Sequence, residues 1–164
     1  MLKMNKINPV IILFLILIFA VSCNKEIPET IINKSNSLND ESTTYRNLGD
    51  EQWHLGNYQE ALNYFTKAYK KVKASGDEKE TATLLNNLGL VHWRLENNTA
   101  AMECYTESAA LAEKNGMTRL LGLTHTNRAL ILKEQRNFDA AFTQNNEAIR
   151  LFREIDQPKD LAVA

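Results

Sequence analysis

From about Asp40 to Asp156, apolar and aromatic residues return at steps of three and four along the chain. Tyr45, Leu48, Gln52 and Leu55 trace one such stripe, and Leu85, Leu88, His92 and Leu95 trace another. This is the spacing of one face of an α-helix. Each stripe stops at a polar pair: Gly56-Asn57, Glu96-Asn97 or Arg136-Asn137. Asn suits a position that adopts left-handed geometry or caps the next helix. Second helices are expected over 58–74, 99–114 and 138–154, and Gly76-Asp77 and Asn115-Gly116 close the first two hairpins as C-terminal glycines do.

The hairpins are copies of one another at a step of 40 residues. Asn47-Leu48-Gly49 returns as Asn87-Leu88-Gly89 and, altered, as Asn127-Arg128-Ala129; small residues follow in register at Ala61, Ala101 and Ala141, then at Ala68, Ser108 and Ala148. Self-similarity at a fixed step marks a stacked array. Antiparallel helices approach closely only where side chains are small, so Gly49 is expected to face Ala61 and Gly89 to face Ala101. A bulkier side chain at Gly89 would overpack the crossing, at about 1–3 kcal/mol.

These residues resemble the tetratricopeptide repeat. Its pattern of an aromatic, then Leu-Gly, then Ala-x3-Phe is met by Tyr45, Leu48-Gly49 and Ala61-x3-Phe65. It is met again by Leu88-Gly89 and Ala101-x3-Tyr105, with Leu85 in the aromatic place. The third copy departs, with His125, Arg128 and Asn145 at the aromatic, Leu and Phe places, while Phe138, Ala141 and Ala148 hold. The step is similar to that of the longer-helix subclass. The resemblance implies an all-α chain: a right-handed α-solenoid of three hairpins (about 40–76, 77–116 and 117–156), with 157–164 as the start of an incomplete fourth. Pro158 there suits a first helical turn. No polar capping helix is visible, so the expectation is either that a partner or a second copy covers the last hairpin, or that the sequence is a truncated piece of a longer protein.

The N-terminus follows a different pattern. Lys3 and Lys6 precede an unbroken apolar run of twelve residues, Val10 to Val21. A membrane-spanning helix takes about 20. A basic start, a short apolar core and a small residue at Ser22 instead predict a secretory signal peptide over 1–22. Ala20-Val21-Ser22-Cys23 resembles the lipobox of bacterial lipoproteins, although that family prefers Leu where Ala20 stands. The resemblance implies cleavage before Cys23, acylation of that cysteine, and a chain tethered to a membrane of the cell envelope, facing the periplasm or the cell surface. Two or more acyl chains, at about 0.8 kcal/mol per buried CH2, make such attachment stable. Residues 23–39, with Pro28 and several Asn and Ser, read as a flexible tether.

A formal net charge of −1 gives no footprint for nucleic acid. Cys104 reads as a small apolar filler. His54, His92 and His125 stand on different helices; His92 and Glu96 make at most half of a metal site, whereas zinc takes three or four ligands. Lys67, Lys70, Lys71 and Lys73 cluster on one helix and read as a solvated face. There is no Gly-rich phosphate loop, CxxC or Ser/His/Asp ordering, so no catalytic residues, metal or cofactor are expected.

The helix that opens each repeat lines the inner face of such an array. Its inward stripe is Arg46, Asn47, Asp50 and Trp53; then Asn86, Asn87, Leu90 and Trp93, with Arg94 beside it; then Thr126, Asn127, Leu130 and Lys133. Asn47, Asn87 and Asn127 stand in register, and an Asn side chain can pair with both polar groups of a peptide unit. The resemblance implies this use, because the family commonly grips peptide backbone with Asn here; the same residues could equally bond neighbouring helices to one another. Trp53 and Trp93 offer apolar area for a ligand. A clamp for a C-terminal carboxylate fits poorly, since Arg46 and Asn87 match it while Asp50, Leu123 and Asn127 do not. The expected role is a non-catalytic, membrane-tethered adaptor for a peptide or protein partner. The alternative is the sensory part of a longer envelope signalling protein.

Overall fold

The computed structural model describes residues 29–156 in backbone and 41–156 in side chains. The signal peptide, Cys23 and the expected start of a fourth repeat at 157–164 lie outside the described residues. The chain divides into two units between Asn36 and Ser37, and the second contains the helical packing.

Among the described residues six helices follow in order: α1 (Glu29–His54), α2 (Tyr58–Ser75), α3 (Glu78–Arg94), α4 (Asn98–Lys114), α5 (Thr118–Glu134) and α6 (Phe138–Asp156). The described residues contain no strand. The expected start of the first helix near Asp40 moves back to Glu29, so 29–39, assigned above to a tether, are helical in backbone. No Pro stands between Pro28 and Gly56 to end a helix, and the one Gly there, Gly49, lies inside it against Phe65; Asn or Ser inside a helix costs at most about 0.7 kcal/mol per residue.

The turns divide the work expected of Asn between two residues. Left-handed geometry falls on the residue before it, with φ of 77° at Gly56 and 61° at both Glu96 and Arg136. Asn97 and Asn137 then cap the following helices, each accepting from a backbone N–H at 3.3 Å, from Ala100 and Ala140. Asn57 does not cap, donating instead to Gln52 Oε1 at 2.8 Å. At the far end of the first hairpin, Gly76 at φ 79° turns its N–H back to the Val72 carbonyl, 3.1 Å away.

Neighbouring helices pack in series, α2 on α3, α3 on α4, α4 on α5 and α5 on α6. Inside the hairpins the small-residue expectation needs one correction. The nearest neighbours of Gly49 and Gly89 are not Ala61 and Ala101 but the aromatic rings one helical turn further on. A methyl group placed on Gly49 would lie 2.6 Å from Phe65, and one on Gly89 would lie 2.5 Å from Tyr105. Glycine therefore makes room for a ring, and the alanines, fully buried, let the helix axes close in beside it. In the third hairpin Ala129 replaces the glycine and the exposed Asn145 replaces the ring. A glycine–ring contact forms two turns away instead, where a methyl group on Gly122 would lie 2.7 Å from Phe152.

The apolar core lies between successive hairpins as well as within them. Ala61, Phe65, Ala68 and Val72 of α2 join Leu84, Leu88 and Val91 of α3 in one buried cluster. Ala101 and Tyr105 of α4 join Ile131 of α5 in a second. Ser108 is buried with its hydroxyl donated to the Ala82 carbonyl at 2.8 Å, which satisfies the polar group that replaces alanine there. The Tyr105 hydroxyl is buried without a partner among the described residues. On α6, Phe138, Phe142 and Ile149 stand exposed.

Candidate functional site

A cavity of about 220 Å³ opens where α1 and α3, the first helices of the first two repeats, lie side by side. Asp50, Trp53 and His54 line it from α1, Asn87 and Leu90 from α3, and Phe65 of α2 forms the floor. Four of these belong to the inward stripe read from the sequence. His54 extends that stripe by one turn from Asp50, and Phe65 arrives because Gly49 leaves its ring uncovered; both were missed, and only the i, i+4 spacing of His54 could have signalled either.

Asp50 and Asn87 bring partly exposed polar groups to this cavity. Neither side chain makes a hydrogen bond or ion pair among the described residues. Partial burial raises the Asp50 carboxyl above its usual range, against a smaller opposite pull from Arg46 and His54. Arg46 is one turn away but turns to Glu80, its Nε 3.4 Å from Oε1 in an ion pair whose geometry is not that of a hydrogen bond. Trp53 leans on the core with one edge and meets the Tyr58 ring at a tilt, centroids 5.2 Å apart.

The remaining predicted residues are placed differently. Asn127 is committed to the scaffold, its amide donating to Asn86 Oδ1 at 3.1 Å across the boundary between repeats. Asn86 is buried, and Thr124 lies at a longer 3.4 Å from the same oxygen. Asn47 is exposed and lines none of the cavities described here. The three asparagines thus share a register but not a role. Trp93 donates its indole N–H to both oxygens of Glu134 at 3.1 Å. Arg94 lies over the faces of Trp93 and Trp53, at 4.6 and 5.6 Å from the ring centres. Trp93, Arg94 and Glu134 border a second, more open hollow of about 550 Å³ with Glu96 and Asn98. Leu123, which stands where a carboxylate clamp needs a cation, is exposed.

Elsewhere the chemistry is quiet. Among the described residues no three His, Cys, Asp or Glu side chains come together as a metal site. Burial lowers the pKa of His92, partly offset by Glu103 rather than Glu96. Cys104 packs against the first core cluster, and burial pushes its thiol up to about 11, so it stays protonated and a poor nucleophile. The lysine cluster is largely engaged: Lys71 pairs with Glu41, Lys73 donates to the Tyr69 hydroxyl at 2.8 Å, and Lys67 sits over the Tyr45 and Tyr64 rings. No helix among the described residues is long and apolar enough to cross a membrane.

Helical hairpins repeated at a constant step, with cores shared between neighbours and a groove along their opening helices, define a helical-repeat protein. Residues 42–74 match one model of the tetratricopeptide repeat and residues 80–154 match another. The chain belongs to the tetratricopeptide repeat family. The second match runs through the third hairpin, so the substitutions at His125, Arg128 and Asn145 do not remove that copy from the family. No curated protein matches the chain. Repeats of this family generally mediate protein–protein interaction and serve as non-catalytic scaffolds, which makes an interaction adaptor the broad role of this one.

Proposed function

We propose that the chain is a lipid-anchored adaptor of the cell envelope. It holds an extended segment of a peptide or protein partner in the groove between α1 and α3, and performs no chemistry on it. The observation that carries this reading is the cavity itself, where Asp50 and Asn87 present unpaired polar groups beside the apolar faces of Trp53 and Leu90. A few convergent polar groups on an apolar surface are the usual make-up of a binding site. Asn87 offers a donor and an acceptor to partner backbone, Trp53 buries partner side chains, and the Trp93–Arg94–Glu134 group continues the surface towards the third repeat. Each hydrogen bond to a ligand nets only about 0.5–1.5 kcal/mol, so binding requires several contacts together.

The anchor is Cys23, on the strength of the apolar run and the small residues before it. The test has two arms. Capture of partners from envelope extract is compared between the native chain and Trp53→Ala/Asn87→Ala, with loss of captured protein expected in the variant and equal capture counting against the groove. Membrane fractionation of Cys23→Ala is expected to move the chain into the soluble fraction, and an unchanged membrane pool would refute lipidation.

A further inference from the structure

We propose that the Asp50 cavity receives a basic side chain, lysine or arginine, from the partner, with the Asp50 carboxylate as its counter-ion. This rests on the groove being the partner-binding face. The carboxylate stands partly buried with no hydrogen bond or ion pair among the described residues, and Arg46 and His54 act on it through space without pairing with it. Arg46 pairs with Glu80, and Arg94 is laid over two indole faces. His54 borders the cavity but is exposed. A carboxylate in this position has lost part of its hydration without gaining a partner, and an incoming cation restores the balance.

The walls fit the rest of such a side chain. Trp53, Leu90 and Phe65 present apolar surface for the methylene stem, and the indole of Trp53 also favours a nearby cation. The Asn87 carboxamide can turn its oxygen to a second N–H of the ammonium or guanidinium. A volume of about 220 Å³ has room for one long side chain and not for a folded element. An acidic side chain would meet like charge, and a neutral one would leave the carboxylate unmatched.

The experiment uses the full chain in detergent on an array of end-blocked random decapeptides. Each is spotted as a pair that differs only in Nε-acetyl-lysine replacing every lysine and citrulline replacing every arginine. The basic member is expected to bind about tenfold more strongly, the size of one charge-assisted hydrogen bond. Asp50→Asn, checked for native helicity and thermal midpoint, is expected to bind both members equally and at the level of the neutral one. Equal binding of the two members by the native chain would overturn the basic-side-chain assignment and leave the groove reading standing. Failure to bind any peptide, or binding unaffected by Trp53→Ala/Asn87→Ala, would overturn the groove reading and this assignment with it.

Discussion

Asn127 and Asn86, side chains from consecutive repeats, are joined by a hydrogen bond of 3.1 Å from Nδ2 to Oδ1. The bond crosses the seam between the second and third hairpins, and on its acceptor side it is buried. It separates residues that the repeat pattern makes equivalent. Asn127 bonds one repeat to the next, whereas Asn87, 40 residues earlier, is left free to face the groove.

That division gives opposite expectations for one substitution. Asn127→Ala should lower unfolding stability by about 0.5–1.5 kcal/mol, the net worth of the bond, and more if Asn86 is left unsatisfied. Asn87→Ala should leave stability within about 0.5 kcal/mol and weaken partner capture. Urea denaturation of the two variants, side by side with capture from extract, checks both.

The glycine–ring contacts predict a strict size limit. Gly89→Ala places a methyl group 2.5 Å from the buried ring of Tyr105, and is expected to cost about 1–3 kcal/mol. Shrinking the ring in Gly89→Ala/Tyr105→Leu should recover part of that loss. A double-mutant cycle by chemical denaturation reads the recovery as a coupling between the two sites.

Tyr105 itself carries a hydroxyl that is buried without a partner among the described residues. Burial, the main cause, raises its pKa far above the ordinary phenol. Phe65 occupies the corresponding place in the first repeat with no hydroxyl at all. Tyr105→Phe should therefore be neutral or stabilising, by up to about 1 kcal/mol. A loss of thermal stability in that variant would mean that the hydroxyl has a partner in solution.

Glu96 holds a left-handed φ of 61° at a turn where the first repeat uses Gly56. For an L-residue that conformation costs about 1–2 kcal/mol, and glycine relieves most of it while adding entropy to the unfolded chain. Glu96→Gly is expected to raise stability by roughly 0.5–1 kcal/mol. Glu96→Val, branched at the β-carbon, should lower it, and thermal midpoints of the two variants test the sign.

Asp50 should make stability depend on pH in an unusual direction for a carboxylate. Its folded pKa lies above the ordinary 3.8, so over the interval from 3.8 up to the folded value the folded chain binds more protons than the unfolded one. This group's contribution to stability then falls as pH rises through that interval. Asp50→Asn should be slightly more stable than the native chain at pH 7, by less than about 1 kcal/mol given its exposure, and equal to it near pH 3. Denaturation midpoints at the two pH values check the difference.

Much of the architecture was legible because repetition multiplies weak signals. A single Leu-Gly or Ala-x3-Phe says little, but the same small residues returning at one step located the turns and the second helices closely. The start of α1 is hard to read because Asn and Ser look like linker, although no Pro stands between Pro28 and Gly56 and Gly49 is accommodated within the helix. Gly49 and Gly89 meet a ring one turn beyond the alanine expected beside them, because a ring is long enough to reach into the notch that the glycine leaves and an alanine methyl is not. In the groove, sequence spacing gave the face on which Asp50, Trp53 and Asn87 stand. Spacing does not show which amides are already occupied, and only the geometry across the seam shows that Asn127 is taken and Asn87 is not.

The transfer of the glycine–ring notch from Gly89 and Tyr105 to Gly122 and Phe152 has a consequence for anyone wishing to lengthen or shuffle this chain. The modules look interchangeable on paper, yet their locking points sit at different heights. A chimera spliced within the third hairpin would keep the lock without its key, so exchanges should be made at the turns, where whole pairs of helices travel together.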